Sequence, residues 1–140
     1  MSFRRNILCL ISAALICLNT NANERKFSFK HLNLDDGLSS MSINDIWTDP
    51  AGIVWLATSV GLDCYDGNSV QSFHPPKEIS SQTNEIFTKQ IIGDDKGHLY
   101  VMYSNCICIL DRYTSRFEPF LSDVCNCIAY DEGLWVGKKN

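Results

Sequence analysis

The fold follows from the stretch Ile46-Trp-Thr-Asp-Pro-Ala-Gly-Ile-Val-Trp-Leu56, which returns as Ile91-Ile-Gly-Asp-Asp-Lys-Gly-His-Leu-Tyr-Val101 at an offset of 45 residues. The register continues without a gap as far as Asp111. A third and shorter copy begins near Ile128. Because repeats at a fixed period indicate a repeat architecture, the chain is best described as copies of one small structural unit.

Each copy has the pattern of short antiparallel strands separated by tight turns. In the first copy, strand-like runs that contain β-branched and aromatic residues cover 42–48, 53–58, 62–65 and 69–73. The last turn of this copy carries Asp66-Gly67, a strong hairpin signal because glycine tolerates a positive φ. Four such strands in a repeat of about 40 to 50 residues are typical of a β-propeller blade. We expect an all-β fold of four-stranded antiparallel blades that form an incomplete propeller.

A set of turn and strand residues that recurs between the copies is predicted to be structural. An aspartate accepts hydrogen bonds from turn amides, a glycine adopts the unusual dihedral angles of the turn, and an aromatic residue fills the space between blades. No catalytic residue and no cofactor is expected, and no ligand-binding residue is assigned. The motif residues are Asp49, Gly52, Trp55, Gly61, Asp66, Gly67, Asp94, Gly97, Tyr100 and Asp111.

The first residues have the order of a secretory signal. Arg4 and Arg5 precede the apolar run from Ile7 to Leu18, which is shorter than the ~20 residues of a membrane span. Small residues follow and end at Ala22, so cleavage is expected there and the mature chain is expected to be exported. An uncleaved amino-terminal anchor is the alternative.

Composition and charge restrict the function further. Hydrophobic residues make up 45% of the 140 residues, which suits a packed domain. The net charge of -4 argues against nucleic acid as a partner, because phosphate binding requires a basic surface. We predict a signal peptide over 1–22, an amino-terminal strand and first blade over 23–76, a second blade over 77–120, and the start of a truncated third blade over 121–140.

Cysteine and histidine residues give no clear metal or catalytic site. The pairs Cys106-Ile-Cys108 and Cys125-Asn-Cys127 have one intervening residue, whereas zinc ribbons typically have two. Three interpretations stay open: thiols that only fill space, one disulfide between the pairs, or a metal site. The histidines are isolated in sequence, and a solvent-exposed side chain is expected for His98 beside Gly97.

A series of motifs resembles the two-component-regulator propeller repeat. Its segments are Phe29-Lys-His-Leu, Asp36-Gly-Leu-Ser39, Asp49-Pro-Ala-Gly-Ile-Val-Trp-Leu-Ala-Thr58, Gly61-Leu62 and Tyr65-Asp-Gly67. Their order and spacing match the family pattern, except that Ala57 takes the place of the usual glycine. The resemblance covers about residues 27–137, and the agreement of several motifs makes it specific.

The resemblance implies the periplasmic sensor part of a hybrid two-component histidine kinase. Members of the family sense oligosaccharides released from glycans and signal to a cytoplasmic kinase, which this chain does not contain, so the chain itself is not expected to be an enzyme. The implied partners are the remaining propeller blades, an oligosaccharide ligand and, in the full-length protein, a second copy in a homodimer. Aromatic side chains that stack on sugars are sought at Trp47, Tyr103 and Tyr113. The alternative is a fragment of an exported propeller enzyme, such as a polysaccharide lyase or glycosidase.

Overall fold

The computed structural model describes residues 28–75, 77 and 87–138 of the chain. The signal peptide predicted over 1–22 lies outside the described residues, as do residues 78–86 near the start of the predicted second blade and the last two residues. Residues 31–140 form one compact unit. Among the described residues, no helix is both long and apolar enough to cross a membrane.

The described residues fold into three antiparallel sheets preceded by one short 3-10 helix. That helix covers Leu34–Asp36 and is capped at its amino end by Asn33. The first sheet has the order β1-β2-β3-β4, the second has the order β5-β6-β7-β8, and β9 pairs with β10 in the third. The strands are β1 (Ile43–Thr48), β2 (Val54–Thr58), β3 (Gly61–Tyr65), β4 (Val70–Phe73), β5 (Gln90–Gly93), β6 (His98–Met102), β7 (Ile107–Asp111), β8 (Arg116–Leu121), β9 (Cys125–Tyr130) and β10 (Leu134–Lys138).

The predicted fold class is confirmed. The described chain is all-β, and its two complete sheets are four-stranded antiparallel meanders of the kind that form propeller blades. Each strand predicted for the first copy begins within one residue of its observed start. Local sequence determines these strands, because each run of β-forming residues is bounded by a turn that contains glycine or aspartate.

The hydrophobic core lies between neighbouring sheets, and each cluster of buried side chains contains residues of two sheets. One cluster joins Trp55 of the first sheet to Ile91 of the second sheet, and another joins the second sheet to Ile128 of the third. Ile91 and Ile128 are 3% exposed, but their first-copy counterpart Ile46 is 60% exposed. Trp135 is 68% exposed. Burial of equivalent positions therefore depends on the presence of a neighbouring sheet.

The segment before the first sheet is held by side-chain hydrogen bonds. Leu38 is buried, and the backbone N–H of Ser39 donates to the Asp63 carboxylate at 2.8 Å. The Ser39 hydroxyl donates to the same Asp63 oxygen at 2.9 Å and lies 3.0 Å from the Thr58 hydroxyl. Gly37 has a φ of 102°, which allows the chain to turn between the 3-10 helix and this attachment.

Candidate functional site

Asp49 organises the turn between β1 and β2. Its Oδ1 accepts hydrogen bonds from the backbone N–H groups of Ala51 at 2.9 Å and Ile53 at 3.0 Å. Its Oδ2 lies 3.5 Å from Nε1 of Trp55, and Gly52 has a φ of 87°. The aspartate, glycine and tryptophan of the repeat motif thus meet in one turn. The Asp49 carboxylate serves there as the hydrogen-bond acceptor for backbone N–H groups of the turn.

Arg112 connects this turn to the second sheet. Its Nη1 lies 3.3 Å from Oδ2 of Asp49, and both side chains are largely buried. Its Nε donates to the Gly97 carbonyl at 3.0 Å and its Nη2 to the Asp94 carbonyl at 3.1 Å. The guanidinium carbon also lies 5.1 Å from the centre of the Trp47 ring. One cation therefore holds the two sheets together at the end of the molecule where these turns lie.

Asp94 is the second-copy counterpart of Asp49, but its partner differs. Its Oδ1 accepts from the backbone N–H groups of Lys96 and His98, and its Oδ2 lies 2.8 Å from Nδ1 of His98. Burial raises the pKa of the Asp94 carboxyl, but the hydrogen bonds from His98 and Lys96 outweigh burial and the pKa lies below its usual value. The His98 side chain is 42% exposed, and the turn brings its ring to the Asp94 carboxylate, a contact that the sequence analysis did not predict.

The remaining aspartates of the repeat motif close the hairpins at the ends of β3 and β7. Asp66 accepts from the backbone N–H groups of Asn68 and Ser69, and Asp111 accepts from those of Tyr113 and Thr114. These amides hold the pKa of both carboxyls below the usual value, because they stabilise the ionised form. Gly67 has a φ of 96° in the first of these turns.

The aromatic and remaining glycine positions of the motif lie at the sheet faces and turns. The Trp55 ring packs 5.5 Å from Phe73, centre to centre, and Tyr100 lies 6.0 Å from Tyr130 of the third sheet. Burial raises the pKa of the Tyr100 hydroxyl. Gly61 has a φ of 153°, and Gly97 has a φ of 99°.

A pocket of about 430 Å³ opens between the turns of the first two sheets. Its walls come from the β1–β2 turn of the first sheet and the β5–β6 and β7–β8 turns of the second, which lie at one end of the antiparallel sheets. The pocket combines apolar surface, two aromatic side chains, two carboxylates and a guanidinium. Its lining residues are Asp49, Pro50, Ala51, Ile53, Trp55, Asp95, Arg112 and Tyr113.

Of the three aromatic residues considered for sugar stacking, one lines this pocket and is open to solvent. Tyr113 is 83% exposed, and its ring lies directly over Gly97. Tyr103 is only 1% exposed, and burial raises the pKa of its hydroxyl far above the usual value, so the choice of Tyr103 is wrong. Trp47 is half-buried and does not line this pocket, because Arg112 lies over its ring and Gly93 approaches the ring closely.

Hydrogen bonds between the first strands of neighbouring sheets, β1, β5 and β9, were not predicted from the sequence. The Asp45 carboxylate accepts from the backbone N–H of Ile91 at 3.0 Å. Gln90, the residue 45 positions later, bonds to both backbone groups of Ile128, donating at 2.9 Å and accepting at 2.8 Å. Side chains at the same repeat position thus hydrogen-bond β1 to β5 and β5 to β9. Polar side chains at an offset of 45 residues were the available sequence signal.

The described cysteines are all free thiols in the structure. Cys108 and Cys125 are fully buried, whereas Cys127 is exposed. A hydrogen bond with Cys106, together with burial, raises the pKa of the Cys108 thiol. Among the described residues, no group of three or more His, Cys, Asp or Glu side chains is arranged to hold a metal ion.

Comparisons with known proteins link these sheets to two-component systems. No family model matches the chain. Over 75 residues, or 54% of the chain, the sequence is 29% identical to histidine kinase P4 of Formosa agariphila, and the match covers 6% of that kinase. The crystal structure of the extracellular domain of a hybrid two-component system from B. thetaiotaomicron matches with a TM-score of 0.60 at 20% identity, over 76% of this chain and 17% of that chain. The resemblance to two-component sensor repeats is thus confirmed at the level of the fold, which is similar to part of that extracellular domain.

Proposed function

We propose that this chain supplies sensor blades to a hybrid two-component system and recognises oligosaccharides released from glycans. The observation that carries the proposal is the fold match to the extracellular domain of such a system, together with sequence similarity to a histidine kinase. The chain spans only small parts of both proteins, so the kinase and its output belong to the proposal. Binding of ligand outside the cytoplasm is the role proposed for this segment.

The proposed partners follow from the same assignment. The exposed positions Ile46 and Trp135 support packing against further blades, because Ile91 and Trp55, which take the same places in other repeats, are buried. An oligosaccharide is the proposed ligand, and a homodimer is proposed for the full-length protein. Nucleic acid is not a proposed partner of this segment, since its net charge is -4.

A binding and turnover experiment tests the proposal against the enzyme alternative. The full chain, secreted from a host with two membranes, is incubated with a panel of glycan-derived oligosaccharides. Binding without release of shorter products is expected for a sensor. Cleavage of the oligosaccharides would instead support a polysaccharide lyase or a glycosidase. Reading the coding sequence that follows Asn140 tests the proposed link to a histidine kinase.

A further inference from the structure

We propose that the pocket between the first two sheets binds an uncharged sugar residue, which stacks on Tyr113 and donates a hydroxyl hydrogen bond to Asp95. This inference rests on the proposed function and adds the location of the ligand and its charge class. The volume of about 430 Å³ lies within the roughly 300–1,000 Å³ typical of small-molecule sites. The walls come from three separate turns, so the site exists only when both sheets are packed together.

Tyr113 supplies a preorganised aromatic surface. Its side chain is 83% exposed, yet its ring is seated on the backbone of Gly97, where an added Cβ would lie 2.3 Å from Tyr113 Cε2. The backbone N–H of Tyr113 is also bonded to Asp111 at 2.8 Å. A planar ring of this kind offers apolar area to the C–H face of a pyranose with little loss of conformational freedom.

The polar groups of the pocket favour a ligand that donates hydrogen bonds. Asp95 is exposed and accepts one long hydrogen bond, at 3.5 Å from the Tyr130 hydroxyl, so its carboxylate retains acceptor capacity. Sugar hydroxyls are donors of the required kind. Pro50, Ala51 and Ile53 provide the apolar part of the wall.

The charges of the pocket argue against anionic sugars. Asp49 is paired with Arg112 at 3.3 Å, and Arg112 also donates to the carbonyls of Asp94 and Gly97. That pair is neutral as a unit, which leaves the negative charge of Asp95 facing the pocket. A uronate or sulfate would meet a like charge, and to reach Arg112 it would have to compete with Asp49.

Binding measurements on the full chain test both the place and the charge class. Uncharged oligosaccharides and their sulfated or uronic acid counterparts of equal length are titrated by calorimetry. We expect binding of uncharged ligands only, weakened at least about tenfold by Tyr113→Ala, retained by Tyr113→Phe and weakened several-fold by Asp95→Asn. Matched controls outside the pocket are Phe120→Ala and Asp131→Asn, which should bind like the parent chain.

The possible outcomes separate the location of the site, the charge class of the ligand and the proposed function. Uncharged ligand that binds equally well to Tyr113→Ala and Asp95→Asn would place the site elsewhere and overturn this inference, while the proposed function stands. Binding of anionic ligands alone would overturn the charge class in the same way. Binding of none of the oligosaccharides would contradict the proposed function itself. Near-ultraviolet circular dichroism of each variant, compared with the parent chain, separates loss of the site from loss of the fold.

Discussion

Replacing Arg112 by methionine should weaken the packing of the first sheet against the second. Methionine retains an unbranched, apolar stem of similar length but removes the guanidinium. Asp49 would then keep its backbone partners Ala51 and Ile53 but lose its buried counter-charge. The carbonyls of Gly97 and Asp94 would each lose a charged donor, and Trp47 would lose its cation.

The expected loss of stability follows from the burial of this group. Removing one partner of a buried ion pair typically costs about 3–5 kcal/mol, because the other charge stays buried. The cation–π contact is worth about 1–2 kcal/mol when desolvated, but it involves the same guanidinium and does not add in full. Since the Asp49 carboxylate keeps its hydrogen bonds to the turn, we expect the lower end, about 3 kcal/mol, for Arg112→Met.

Urea unfolding of residues 23–140, followed by tryptophan fluorescence, measures this loss. Trp47 and Trp55 both lie beside the Asp49–Arg112 pair, so their emission reports on this interface. Protein concentration is held constant because association shifts apparent stability. Arg116→Met, at an exposed position of β8, is the matched control and should change stability by less than about 0.5 kcal/mol.

A double-mutant cycle identifies the cause. If the buried carboxylate carries the cost, Asp49→Asn should restore part of the stability lost in Arg112→Met, with a coupling of at least about 1 kcal/mol. Equal midpoints for Arg112→Met and Arg116→Met would refute the proposed role of the guanidinium. Loss of stability without coupling to Asp49 would assign the effect to the carbonyl and Trp47 contacts instead.

Three further predictions concern export, association and acid stability. The intact mass of the secreted protein should lack residues 1–22, and a mass that retains Met1 would contradict the signal peptide. Residues 23–140 alone should form oligomers in analytical ultracentrifugation, because Ile46 and Trp135 are exposed where equivalent residues are buried; a monodisperse monomer with a sharp thermal transition would oppose this. The pKa of Asp94 is lowered by folding, so its contribution to stability is present above pH ~4 and is lost as pH falls through the folded pKa. Asp94→Asn should therefore make the free energy of unfolding less dependent on pH below ~4, and an unchanged acid dependence would argue against this carboxyl as its source.

The sequence by itself determined the strands, the turns and the repeat. Asp49 bonds to amides two and four residues away, and Asp66 bonds to amides two and three residues away. Interactions of such short range depend on residue type and spacing alone, so the motif predicted these turns. The offset of 45 residues indicated that Asp94 takes the place of Asp49 in the second copy and that Asp111 takes the place of Asp66. The fold class followed because four short strands in each unit admit few architectures.

Only the tertiary structure decided which side chains are covered and which are available to a ligand. Trp47 and Tyr113 are both aromatic residues near turns, but Arg112 covers the first and leaves the second open, and Arg112 lies 65 positions after Trp47 in the chain. Asp45 reaches Ile91 across the same interface. These contacts depend on how one sheet packs against the next, a relation that local spacing does not encode. The pocket exists for the same reason, since its walls are turns that meet only when the two sheets are packed.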